Sequence, residues 1–218
     1  MYCSMQWFQK ISKSEINQEG RMRSFDLSQT TINISKNDLI YKTNDNKYWV
    51  YEVIFQSHES IPPHSHPFGE DCAVVLSGHL DYYISNKIMI RASKGEIVFG
   101  WKNHIHGYKN NETEPLHLLI FVAPNKIGLE YLPDDDPKIV HVPEEKRIMK
   151  LSEYQVVHSP FSSFERIKID GEYSEAYNEN GLMVFIDIEN KQMYIFEGEN
   201  VEIKTSNPIV FIKYTARL

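Results

Sequence analysis

His64-Ser65-His66-Pro67-Phe68-Gly69-Glu70-Asp71-Cys72-Ala73-Val74-Val75-Leu76-Ser77-Gly78 is the stretch on which the reading of this chain turns. In an extended segment, residues two apart point the same way, so His64 and His66 can reach one ion together. Pro67-Phe68-Gly69 supplies a turn, after which Glu70 or Asp71 opens a strand that closes at Ser77-Gly78. His106 follows Asp71 by 35 residues and heads another strand-like segment. Three imidazoles and one carboxylate suit iron, manganese, nickel, cobalt, copper or zinc better than calcium or magnesium. Such a ligand set leaves one or two positions open on a five- or six-coordinate ion, which is what binding of substrate or dioxygen needs.

Outward from this stretch the chain reads as short strands. Tyr48 to Phe55 is rich in β-branched and aromatic residues. Leu80 to Ile84, Lys87 to Ala92, Ile97 to Trp101 and Leu116 to Val122 follow, separated by Ser85-Asn86, Lys94-Gly95 and Asn110-Asn111. Regular strand spacing with little helical periodicity predicts an all-β barrel or sandwich. Tyr131-Leu132-Pro133-Asp134-Asp135-Asp136-Pro137, extended by Pro143-Glu144-Glu145, reads as a linker over 131–145. Strand signals return at Phe164 to Ile169, Leu182 to Ile188, Gln192 to Phe196, Val201 to Lys204 and Ile209 to Tyr214. The expected organisation is a metal-binding barrel with an N-terminal extension over 1–130, the linker, and a smaller second β unit over 146–218. Gly95-Glu96-Ile97-Val98-Phe99 and Asn207-Pro208-Ile209-Val210-Phe211 hint at an internal repeat. All nine histidines lie at or before His158, so the second half cannot build a copy of the three-histidine site.

The spacing around the histidines resembles the cupin superfamily. Its first motif is G-x5-H-x-H-x(3 or 4)-E-x6-G, and here His64-x-His66 is followed by four residues, Asp71, six residues and Gly78. Its second is G-x5-P-x-G-x2-H-x3-N. Here Gly95 is followed by five residues, Trp101, Lys102, Asn103, two residues, His106, three residues and Asn110. The resemblance covers about residues 48–122. It implies a jelly-roll β-barrel with one divalent transition metal inside (Fe, Mn, Ni or Zn), held by His64, His66, Asp71 and His106. The second half then reads as a degenerate partner barrel, making the chain bicupin-like. Three departures stand out. His58 replaces the leading glycine, Asp71 takes the glutamate position unless the shorter spacing brings in Glu70, and Trp101 and Asn103 replace proline and glycine.

Tyr83, Phe99, Trp101 and Tyr108 are the candidate substrate-facing aromatics. His104 reads as a turn histidine open to water, His117 as a core histidine, and Cys72 as a core residue facing away from the metal. No hydrolase triad signature, P-loop or dinucleotide fingerprint is present. The net charge of −7, with no run of lysines and arginines, excludes nucleic acid as the expected partner. No stretch approaches the ~20 apolar residues of a membrane span, and Met1 to Lys10 has no apolar core of a signal peptide. Cys3 and Cys72 are too few for a disulfide framework, which makes the cytoplasm the default compartment. The expected protein is a mononuclear metal enzyme of oxygenase (dioxygenase), isomerase or lyase type acting on a small organic molecule, as monomer or homodimer. The rival is a cupin that binds or senses a metal or small ligand without turnover.

Overall fold

A computed structural model describes residues 22–176 and 181–216. The first half carries β1 (Arg23–Asp26), β2 (Lys36–Lys42), β3 (Trp49–Phe55), β4 (Ser60–His64), β5 (Glu70–Ser77), β6 (His79–Tyr83), β7 (Met89–Ser93), β8 (Ile97–Gly100), β9 (His106–Lys109) and β10 (Leu116–Ala123). The second carries β11 (Ile148–Met149), β12 (Val156–His158), β13 (Ser162–Ile169), β14 (Glu172–Glu175), β15 (Leu182–Asp187), β16 (Gln192–Glu197), β17 (Val201–Lys204) and β18 (Ile209–Ala216). No helix among the described residues is long and apolar enough to cross a membrane.

The first half folds as two facing sheets. One has the order β11-β8-β5-β10-β3-β2 and the other β4-β9-β6-β7. The second half repeats the plan in reduced form. Its large sheet, β1-β16-β15-β18-β13-β12, has the same connectivity, and β14-β17 stands where β4-β9 stands in the first half. A counterpart of the β6–β7 hairpin is missing, because β15 runs directly into antiparallel pairing with β16. In this plan β18 matches β10, whereas the short sequence repeat pairs its first residues with those of β8. Each large sheet also takes an edge strand from the other half. Arg23–Asp26 pairs with β16, and Ile148–Met149 pairs with β8.

The two large sheets pack face to face. This explains why β5 and β10 read as unbroken apolar runs rather than alternating ones: both faces of each strand are covered. Along β5, Ala73 and Val75 point into the first barrel with Tyr82, Tyr108 and Leu118. Cys72, Val74 and Leu76 point the other way, against Val184, Ile212 and Tyr214. Phe164 centres this contact, with ring centroids 5.8 Å from Phe99, 5.7 Å from Phe121 and 5.0 Å from Tyr214.

The departures from the motif glycines keep the glycine conformation. His58 has φ 66° and Asn103 φ 61°, both left-handed. Asparagine and histidine both occur there more often than most residues, though each carries a Cβ cost that glycine avoids.

Candidate metal centre

His64 ends β4 and pairs across the sheet with His106, the first residue of β9. His66 lies just beyond, where Ser65 bridges to Glu130. Asp71 sits on β5 opposite Gly100 of β8. These elements bring one nitrogen or oxygen from each of His64, His66, Asp71 and His106 within 4.8 Å of one another. All four residues are buried, with between 0 and 8% of their surface exposed.

Each imidazole is held by its Nδ1. The carbonyl of Pro62 accepts from His64 at 2.7 Å, that of Gly128 from His66 at 2.6 Å, and that of His104 from His106 at 2.9 Å. A carbonyl can only accept, so the proton belongs on Nδ1 and the Nε2 lone pair is left free. Nε2 of His66 and of His106 are buried without a hydrogen-bond partner. His106 Nε2 lies 2.6 Å from Asp71 Oδ1, and His66 Nε2 lies 3.5 Å from Oδ2. In this tautomer lone pairs face a carboxylate, an arrangement that a cation bound by both would stabilise. The donor set therefore fits a transition-metal ion, with the Nδ1 contacts orienting its ligands.

The electrostatics favour these protonation states at His64, His106 and Asp71. Burial pushes the His64 imidazole down to about 3, with repulsion from His106 adding to it. Burial also lowers His106, despite the facing Asp71. Burial alone would raise Asp71, but His106 and His66 beside it hold the carboxyl well below its usual range. Neutral imidazoles and an ionised carboxylate are the ligand-competent forms.

Strand parity places Asp71, and not Glu70, beside the imidazoles. Glu70 lies on the opposite face of β5, where its Oε1 accepts hydrogen bonds from Ser159 and Ser162 of the second half. The aromatic expectations fare unevenly. Tyr108 is inside, donating to Asp71 Oδ1 at 3.1 Å. Tyr83 is not: it follows Tyr82 on β6, and it is Tyr82 that enters the barrel core, 6.4 Å from the His106 ring and roughly parallel to it. Phe99 shares the face of Cys72 and packs between the sheets, away from the cluster. Trp101 packs on Phe99 at 5.1 Å and on His104 at 5.6 Å, at the border of the same intersheet core. His104 is buried rather than open to water, and burial lowers its imidazole to about 4. His117 is fully buried, its Nε2 2.9 Å from Glu52.

Residues 128–147, which take in the segment read as a linker over 131–145 and a few residues on either side, contribute most of what sequence reasoning missed. Gly128 orients His66, and Glu130 pairs with Ser65 through two 2.9 Å backbone hydrogen bonds. Val140 donates to the Asn103 carbonyl. Tyr131 stands 6.4 Å from the His64 ring and is 54% exposed. Arg147 is buried beside Tyr82. The acidic and proline-rich composition of this segment carries no signal that it would fold back over the site.

Comparison with known proteins agrees with this architecture. Residues 51–122 match the Cupin domain family. No curated protein matches the sequence. Among solved structures, salicylate 1,2-dioxygenase from Pseudaminobacter salicylatoxidans is similar at a TM-score of 0.66 and 11% identity, over 96% of this chain and 88% of that one. A mutant of that enzyme in complex with gentisate is similar at 0.65 and 10% identity, over 92% and 83%. AerE from Microcystis aeruginosa is similar at 0.57 and 15% identity, over 91% and 98%. At these identities the likeness is one of fold.

Proposed function

With residues 51–122 forming a cupin domain, we propose that this chain is a mononuclear metal-dependent enzyme acting on a small organic molecule. The observation that carries the reading is the convergence of three backbone-oriented imidazoles on the Asp71 carboxylate inside a barrel. When bound, the ion supplies Lewis-acid or redox chemistry toward an oxygen of the substrate.

The chain's own groups do the rest. His64, His66 and His106 offer neutral nitrogens, and Asp71 supplies the one negative charge of the set. Tyr108 steadies Asp71 by donating to Oδ1. Gly128 holds His66, so the 124–147 segment takes part in shaping the site. Mostly apolar side chains pack around Tyr82 and Tyr108, and the half-exposed Tyr131 beside His64 is the aromatic ring an organic ligand approaching from that side would meet. Dioxygenase chemistry, the activity named for the salicylate 1,2-dioxygenase, is the first to test; isomerase or lyase chemistry is the second.

Protein purified without an affinity tag should carry close to one transition-metal ion per chain. Replacing His64, His66 and His106 together by alanine should remove it. Asp71→Asn should weaken binding far more than Glu70→Gln. Full metal content in the triple variant would overturn the assignment. For turnover, oxygen uptake that needs both metal and substrate marks a dioxygenase, and conversion without oxygen marks an isomerase or lyase. A tightly bound ligand recovered unchanged under all these conditions would make the protein a binding module instead.

A further inference from the structure

Arg147 is only 2% exposed, and a guanidinium is costly to bury unless its N–H groups find acceptors. Two of its acceptors are backbone carbonyls. Its Nε donates to Phe99 at 3.0 Å and its Nη2 to Ile105 at 2.7 Å. Its own carbonyl accepts from the Phe99 N–H at 3.0 Å. The side chain also meets Tyr82. The guanidinium carbon lies 5.6 Å from the centre of that ring, and its charge acts on the Tyr82 hydroxyl.

These contacts bracket the loop that delivers a metal ligand. Phe99 precedes Gly100, which faces Asp71 across the β5–β8 ladder. Ile105 precedes His106, the first residue of β9. Between them, the Asn103 N–H donates to the His66 carbonyl at 2.9 Å, and the His104 carbonyl accepts from His106 Nδ1. Tyr82 lies roughly parallel to the His106 ring at 6.4 Å. A guanidinium is a rigid planar fork, so two carbonyls bonded to it are held at a set separation. Its charge makes each bond about twice as strong as one from a neutral donor. With both ends fixed in this way, the loop has little freedom to carry His106 elsewhere. Arg147 itself lies outside the stretch that supplies the ligands. It immediately precedes β11, which enters the first sheet as an edge strand beside β8.

We infer that Arg147 is a positioning residue of the metal centre: its guanidinium fixes the loop between β8 and β9 so that His106 meets the same ion as His64, His66 and Asp71. This rests on the metal-centre reading above. Arg147 acts through two backbone carbonyls and the Tyr82 ring rather than on the ion. The segment that leads into the second half thereby sets the geometry of a ligand in the first, 41 residues earlier in the chain. Lysine is a poor substitute, because a point charge on a flexible stem cannot bridge two carbonyls in one plane.

The test loads the full chain with cobalt(II), whose visible absorption reports the number and arrangement of its ligands. Affinity is read by competition with a chromophoric chelator, and folding by thermal unfolding. Arg147→Met keeps the unbranched stem and removes every donor. In its folded form cobalt affinity should fall ~10–100-fold, the range for groups that orient metal ligands, and the absorption spectrum should change shape. Arg147→Lys should fall between Arg147→Met and the parent. Gly95→Ala is the stability control, strained by its φ of 81° but with nothing within 4 Å of the added Cβ; it should keep the parent's spectrum and affinity. A parent-like spectrum and affinity in folded Arg147→Met would overturn the inference and leave Arg147 a structural tie. Should that variant not fold, Arg147→Lys decides, and a parent-like result there overturns the inference too. So would a Gly95→Ala spectrum altered as much as that of the arginine variants, because any loss of stability would then be felt at the ion. Failure of the metal-centre reading looks different: the parent itself takes up no cobalt, or His106→Ala binds it as the parent does, and the inference falls with that reading.

Discussion

Gly100→Ala puts the geometry of the cluster under the most direct strain. Gly100 faces Asp71 across the β5–β8 ladder. A Cβ built there would lie 2.3 Å from the Asp71 carbonyl oxygen, 2.4 Å from Asp71 Oδ1 and 2.9 Å from His106 Cδ2. Ordinary contact begins at 3.4 Å, so the carbonyl must retreat about 1.1 Å and the carboxylate about 1.0 Å. Neither moves freely, because the carbonyl belongs to a central strand and Tyr108 donates to the carboxylate. Overpacking of this kind costs about 1–3 kcal/mol of stability. Displacing a positioned group by ~1 Å can cost on the order of 100-fold in function, and a loss of ~10–100-fold in metal affinity is expected. The assay is competition for the metal against a chromophoric chelator, with thermal unfolding as the check on folding. Gly95→Ala is the control. Nothing lies within 4 Å of its added Cβ, but its φ of 81° is strained for alanine, so it should lose ~1–2 kcal/mol of stability with no change in metal affinity. A folded Gly100→Ala protein that binds metal like the parent would refute the claim that Asp71 and His106 hold the ion together.

Two further outcomes follow from the core. Burial would raise Glu52, but hydrogen bonds from His117, Lys36 and Thr30 outweigh it and bring the carboxyl down from 4.5 to about 2. A depressed carboxyl stabilises the fold above its unfolded value, and that contribution is lost as pH falls from 4.5 towards 2, at ~1.4 kcal/mol per unit and about 3 kcal/mol in all. Glu52→Gln should therefore be less stable than the parent at pH 7 and converge with it near pH 2 in urea unfolding; parallel curves would show that the network is not coupled to folding. Phe164→Ala empties the centre of the intersheet contact and should cost about 3–5 kcal/mol. Its folded form should still bind metal with the parent's stoichiometry, and joint loss of both at low temperature would mean that the second sheet props up the ligand cluster itself.

The sequence alone carried the all-β architecture and the barrel around 48–122, and it singled out the three histidines and the aspartate that the fold brings together, because these follow from local periodicity and short spacings. Gly78 and Gly95, read as turn glycines, do take positive φ. The apolar run from Cys72 to Leu76 marked a strand, which the packed sheets cover on both faces. Parity was the limit of that reading. Glu70 against Asp71 and Tyr82 against Tyr83 are neighbours that differ only in which face they take, and a one-residue change of register exchanges them. Parity became definite once β5 was placed between β8 and β10 and β6 beside β9. The remaining features join residues far apart in the chain: Gly128 with His66, Ser162 with Glu70, Arg147 with Phe99. Their partners lie 62, 92 and 48 positions away. Composition cannot say which distant carbonyl or carboxylate a group will meet, since that follows from how the two large sheets pack and how the intervening segment returns over the barrel.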